Sequence, residues 1–69
     1  MFTTYAIQST IRNYIYVGMT DNLERRLDEH NRGKNRSTKA YKPFILIYTK
    51  NFETRLEARD HEKMLKSGY

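Results

Sequence analysis

The sequence predicts an α+β domain: a small three-stranded antiparallel sheet packed by two helices, in the order ββαβα, filling residues 1–69 as one unit. Three observations predict it. Two short segments rich in Tyr, Ile, Val and Thr stand close together at the N-terminus, separated by polar residues. Two capping-type sequences each open a stretch with apolar residues at helical spacing. Between those stretches lies one unbroken apolar run led by a proline.

Thr3–Gln8 and Asn13–Val17 read as a β-hairpin, because aromatic and β-branched residues suit a half-buried pleat and Ser9-Thr10-Ile11-Arg12-Asn13 is short and polar. Alternation puts Tyr5 and Ile7 on one face of the first strand. In the second, Tyr14, Tyr16 and Gly18 share a face and Ile15 and Val17 take the other. Gly18 is expected to end that strand and Asp21 to cap a helix, with Glu24 completing a capping box. The helix is expected to run to about Asn31, and Gly33 suits its C-terminal turn. Pro43 then precedes Phe44-Ile45-Leu46-Ile47-Tyr48, which reads as a central, well-buried strand. Thr54-Arg55-Leu56-Glu57 forms a second capping box, opening a helix to about Lys66 that Ser67-Gly68 would stop.

Composition narrows the function. A chain of 69 residues buries only roughly 60% of its unfolded surface, so its core is modest. With no cysteine there is neither a disulfide framework nor a thiolate metal site. The N-terminus lacks the basic-then-apolar pattern of a secretory signal, and no stretch approaches the roughly 20 apolar residues of a membrane span. A cytoplasmic protein with no membrane association is expected. The net charge is +5, and its placement matters more than its size. Arg32, Lys34, Arg36, Lys39 and Lys42 lie between Asn31 and Pro43 with no acid among them. Setting those five aside leaves eight basic residues against eight acidic. One loop thus carries the whole surplus, with Tyr41 beside it for stacking, which is the footprint expected for phosphate and for a nucleic-acid partner.

On the first helix, Leu23, Arg26, Leu27 and His30 fall within one arc of roughly 100°, the width of an apolar stripe. Glu24, Arg25, Asp28 and Glu29 occupy the outward side, where Arg25 and Glu29 can pair. A guanidinium on the inward arc cannot shed its charge and needs an anion, either a protein carboxylate or a ligand. His30, one turn on, reads by itself as a satisfied core histidine. On the second helix Ala58, His61, Met64 and Leu65 make the apolar stripe, and His61 reads as packing or structural hydrogen bonding. Glu62 borders the stripe beside Ala58 and Lys66, which suits a surface salt bridge or a partly enclosed metal ligand equally. Tyr5 and Tyr16, on adjacent strands, can project side by side as an aromatic cross-strand pair. No Gly-rich phosphate loop, paired-His zinc motif or Ser-His-Asp set is present.

Taken together these residues resemble the GIY-YIG nuclease family, and most closely its small single-domain bacterial members. Tyr16-Val17-Gly18 is similar to the YIG element, and Asp21-Asn22-Leu23-Glu24-Arg25-Arg26-Leu27-Asp28-Glu29-His30 to the helix that follows it. The similarity continues through the basic loop, the Pro-led strand and Phe52-Glu53-Thr54-Arg55-Leu56-Glu57-Ala58 into Arg59-Asp60-His61-Glu62-Lys63. The GIY element itself reads Thr3-Thr4-Tyr5, keeping the tyrosine and lacking the glycine and isoleucine. The resemblance implies a catalytic set of Tyr5, Tyr16, Arg26, His30 and Glu62, with Glu62 the ligand of one divalent ion, Mg²⁺ or Mn²⁺. It implies that Arg26 offsets charge on the phosphate and that Tyr5 or His30 takes the proton of the attacking water, with Tyr16 orienting water or phosphate. Family members usually continue past the second helix, so a domain cut short at its C-terminus is expected.

The resulting expectation is a metal-dependent endonuclease hydrolysing DNA phosphodiester bonds, structure-selective, of the kind DNA repair employs. The alternatives are a non-catalytic DNA- or RNA-binding module on the same scaffold, and a basic protein-interaction domain.

Overall fold

A computed structural model describes residues 1–68. Its first strand, β1 (Phe2–Ser9), is hydrogen-bonded on both sides by antiparallel partners, β2 (Ile15–Thr20) and β3 (Phe44–Phe52), giving the order β2-β1-β3. Two helices, α1 (Leu23–Asn31) and α2 (Arg55–Gly68), and a short 3₁₀ turn over Lys39–Tyr41 complete the fold. The expected ββαβα order and α+β class are those observed.

β1 is central because both its edges are paired, and both its faces are covered as well. Thr4, Tyr5, Ala6 and Ile7 are four consecutive buried residues, none more than 1% exposed. The register pairs Tyr5 with Gly18 and Ile7 with Tyr16, and on the opposite face Ala6 with Val17 and with Tyr48. α1 lies on the Tyr5 face, where His30 meets the Tyr5 ring. α2 lies on the other face, anchored where the Thr4 hydroxyl donates to the Ala58 carbonyl at 2.7 Å.

This overturns the reading of Phe44–Tyr48 as the central strand. β3 is an edge strand that runs on to Phe52, and only Phe44 of its apolar run is buried; Ile45, Leu46 and Ile47 are 52%, 41% and 42% exposed. An unbroken apolar run reports strand propensity, not position within the sheet. A three-stranded sheet has one middle, and β1 holds it. A register shift opposite Ala6 and Ile7 leaves Ile47 between the paired Leu46 and Tyr48.

Gly18 does not end β2, which continues through Met19 and Thr20. Its lack of a side chain serves clearance instead. A Cβ at Gly18 would stand 2.7 Å from the Tyr5 hydroxyl oxygen and 2.9 Å from Cε2 of Tyr16, so both phenol rings close over this residue.

The helix ends follow local chemistry, with one shift. Asn22, not Asp21, caps α1: its side chain accepts from the Arg25 amide at 3.1 Å, while Asp21 forms an ion pair with Arg25 at 3.5 Å. At the other end the Gly33 amide donates to the His30 carbonyl and the Lys34 amide to that of Glu29, with Gly33 at φ 76°. That is the paired closure a glycine after a helix permits. Thr54 caps α2 as expected, its hydroxyl oxygen accepting from the Glu57 amide at 3.2 Å. α2 continues through Ser67 and Gly68, past the expected stop. Its inward residues are Ala58, His61, Glu62 and Leu65, whereas Met64 is 56% exposed. Once Thr4 fixes Ala58 inward, Met64 falls roughly 120° around the helix and leaves the stripe.

Gly18→Ala is expected to lower stability by about 1–3 kcal/mol through overpacking. Urea denaturation should show a reduced midpoint with an unchanged m-value.

Candidate active site

Four of the five expected catalytic residues meet over the α1 face of the sheet. Tyr5 is 1% exposed, and its hydroxyl lies 3.0 Å from Nε2 of His30, which is fully buried. His30 Nδ1 lies 2.9 Å from Oγ1 of Thr38, also fully buried, and the Thr38 hydroxyl donates to the Asn35 carbonyl at 3.4 Å. With that hydroxyl hydrogen engaged, the His30 proton belongs on Nδ1, so Nε2 accepts from Tyr5. The ring of Tyr16 stands 4.9 Å from that of His30 and 6.3 Å from that of Tyr5. The expected side-by-side placement of the two phenols is therefore present, as a tilted pair.

Arg26 projects from α1 one turn before His30. Its side chain is 33% exposed and pairs with Glu29 at 3.2 Å. The expected Arg25–Glu29 pair does not form, because Glu29 turns inward to Arg26 and Arg25 turns to Asp21. Burial works against the Arg26 charge, but the Tyr5 hydroxyl, Glu29 and the Tyr16 hydroxyl outweigh it and raise its pKa. Arg26 lines a cleft of about 280 Å³ together with Arg25, Arg55, Asp21 and Glu29.

The same packing sets the protonation states. Burial pushes the Tyr5 phenol up to about 12; the Arg26 hydrogen bond opposes this, while Tyr16 and Glu62 add to it. His30 is lowered from its ordinary value, first by burial and then by the positive charge of Arg26. At neutral pH the resting site holds a neutral phenol, a neutral imidazole and a guanidinium.

Glu62 stands apart from this group. On α2, His61 leans toward β3, its Nε2 lying 2.7 Å from the Tyr48 hydroxyl and its ring packing on Phe52. Glu62, the next residue and so about 100° around the helix, leans toward β2. Its side chain is 18% exposed and pairs with Lys66 at 3.0 Å. It is on the opposite face from α1, yet near enough for its charge to oppose the Tyr5 phenolate. Among the described residues no three His, Asp or Glu side chains converge as a metal cage. One half-enclosed carboxylate nevertheless fits a hard cation such as Mg²⁺, which keeps several waters and takes further oxygens from a phosphate.

The loop cations Arg32, Lys34, Arg36, Lys39 and Lys42 are all exposed. Arg32 is held by Asp28 at 3.0 Å. The stems of Lys39 and Lys42 fold against Gly33, next to the C-terminal end of α1, where the helix dipole favours cations. Tyr41 does not stand free for a base. It stacks on Tyr14, ring centroids 3.9 Å apart and 8° from parallel, because the 3₁₀ turn carries it toward the core. Reading the sequence missed Thr38 and turned Glu29 outward, whereas the salt bridge it allowed between Glu62 and Lys66 does form. A threonine inside a charged loop carries no periodic signal, and Glu29 is identified only by which partner it faces.

A family model described as the GIY-YIG catalytic domain matches residues 1–69. A UPF0213 protein of Bacillus velezensis is 40% identical over 55 residues, covering 78% of this chain and 56% of its own length. One of Nitratidesulfovibrio vulgaris is 43% identical over 53 residues, covering 75% and 48%. One of Staphylococcus haemolyticus is 38% identical over 56 residues, covering 80% and 68%. The chain thus spans about half the length of the first two relatives. No solved structure matches it.

Because His30 is lowered in the folded state, its contribution to stability is complete above about pH 6.5 and is lost as pH falls through the folded value. Thermal denaturation between pH 7.5 and 5 should show a Tm that falls on acidification, and His30→Gln should flatten that slope. Tyr5 acts at the other end: its contribution is present below about pH 10 and is lost as pH rises toward about 12.

Proposed function

The chain belongs to the GIY-YIG nuclease family, and on that footing we propose that it is a divalent-metal-dependent endonuclease hydrolysing DNA phosphodiester bonds, selective for DNA structure. The observation that carries the proposal is the half-open guanidinium of Arg26 set against two phenols and a buried histidine. Glu29 engages one terminal nitrogen of Arg26, which leaves other donors of the fork for a phosphate.

The residues divide the work as follows. Arg26 binds the non-bridging oxygens and offsets the charge that grows on them, a term worth about 3–4 kcal/mol when preorganised. Tyr16, half-buried at the β2 edge, orients the attacking water. The proton leaves through the buried relay: Tyr5 accepts it from the water and passes its own hydroxyl proton to His30 Nε2, leaving hydroxide to attack and an imidazolium behind. At rest that imidazolium is disfavoured, partly by Arg26. A bound phosphate neutralises Arg26, so the substrate itself makes His30 a better base. Glu62 would hold the divalent ion, which when bound polarises the phosphate and stabilises the leaving oxygen.

The loop cations meet phosphate, which carries no sequence information, so the proposal favours shape: branched, nicked or single-stranded DNA. The exposed positions of Lys34, Arg36, Lys39 and Lys42 support their role as the nucleic-acid surface.

The test uses purified protein, Mg²⁺ or Mn²⁺, and labelled duplex, flap and single-stranded substrates. Glu62→Ala is expected to abolish cutting with DNA affinity retained, and Arg26→Ala to slow turnover by about 10²–10³-fold. Lys39→Gln with Lys42→Gln should weaken binding and reduce the magnitude of the log–log salt slope by about 2, with turnover at saturation preserved. Salt-dependent binding by the wild type without any cutting would replace the enzyme with a binding module.

A further inference from the structure

Lys66 has no part in the chemistry above, yet it touches both halves of the site. Its ammonium lies 3.0 Å from the Glu62 carboxylate, and its side chain is 55% exposed against 18% for Glu62. It also walls a cleft of about 430 Å³ whose other lining residues are Asn13, Tyr14, Ile15, Tyr16 and Val17, along the β2 edge. Among the described residues no acidic side chain lines that cleft.

Three physical points follow. A carboxylate as enclosed as Glu62 needs a counter-ion, and Lys66 supplies it. A divalent ion on the same oxygens would face an ammonium a few ångströms away, so the two cations compete. Lysine is a compact charge on a flexible stem, so it can yield its place by swinging into the adjoining cleft. Among the described residues it meets phenols and an amide there, so the move is favourable when an anion enters the cleft with it.

We propose that Lys66 is an exchangeable counter-ion: it holds Glu62 in the free protein and transfers to a substrate phosphate in the β2 cleft when a divalent ion takes Glu62. The proposal rests on the reading of Glu62 as the metal ligand. It makes metal and nucleic acid mutually reinforcing, because each stabilises the Lys66 position that the other requires, and such coupling is reciprocal.

The test is direct binding, independent of cutting. Mn²⁺ is titrated into ¹⁵N-labelled protein and the paramagnetic broadening of amides around Glu62 gives its affinity. A short oligothymidylate is titrated separately, with and without Ca²⁺. Lys66→Gln is expected to bind Mn²⁺ tighter, by up to about fivefold, the upper range for losing one part-exposed ion pair. It is also expected to lose most of the tightening that Ca²⁺ confers on oligothymidylate binding in the wild type. Lys66→Arg, which can grip the carboxylate with two donors, should weaken Mn²⁺ instead. Equal or weaker Mn²⁺ binding by Lys66→Gln, with a thermal melt matching the wild type, overturns the exchange. Glu62→Ala separates the two readings. If Mn²⁺ binding survives it, the metal-ligand reading itself fails. If Mn²⁺ binding is lost there but is unchanged in Lys66→Gln, the counter-ion exchange alone falls.

Discussion

The hydrogen bond between the Tyr5 hydroxyl and His30 Nε2 is the interaction on which the rest of the site depends. It crosses from the central strand to α1 between two buried side chains, where a missing partner would leave a buried polar group at a cost of about 1–3 kcal/mol. His30 passes the constraint on to Thr38 and so ties the basic loop to the same point. Asn31 adds a second tie, its side-chain oxygen accepting from the Phe44 amide at 2.6 Å. Strand, helix and loop are therefore registered against one another by polar contacts, whose geometry is more exacting than that of apolar packing.

That registration explains why so small a domain can hold a charged arginine among aromatic rings. Gly18 lets the two phenols close over β2, and the closed rings aim their hydroxyls at Arg26. The guanidinium is supported by neutral oxygens and by Glu29, and it lines a cleft. The sheet meanwhile keeps α1 and α2 on opposite faces, and the Glu62 charge is nevertheless felt at Tyr5.

Much of this was legible in the residues because it is periodic or local. Helical arcs placed Arg26 and His30 inward, and the Thr54 cap and the Gly33 closure follow from short-range chemistry. What periodicity leaves out is position. The Phe44–Tyr48 run announced a strand but not its place at the edge, because β1, whose Thr4 and Tyr5 look half-polar, earns its burial from two partners and two helices. Met64 looked like core until Thr4 fixed the rotation of α2. The cap read as Asp21 falls one residue on, at Asn22, a shift that the pattern of capping residues does not resolve. Thr38 was illegible because its role is defined only by the histidine it faces.

Electrostatics joins these parts into one device. The free protein balances each part-buried charge locally: Arg26 against Glu29, Glu62 against Lys66. Both pairs are incomplete solutions, since the arginine keeps donors to spare and the lysine is the more exposed partner of its carboxylate. On the proposed reading, a phosphodiester arriving from the loop cations would supply anionic oxygens to both pairs, relieve the suppression of His30 by Arg26 and give Lys66 a reason to leave Glu62. The substrate would then be the missing anion, and reactivity need not be stored in the resting protein as a high-energy phenolate. It would arise when the charge the fold leaves unbalanced is completed by the molecule to be cut.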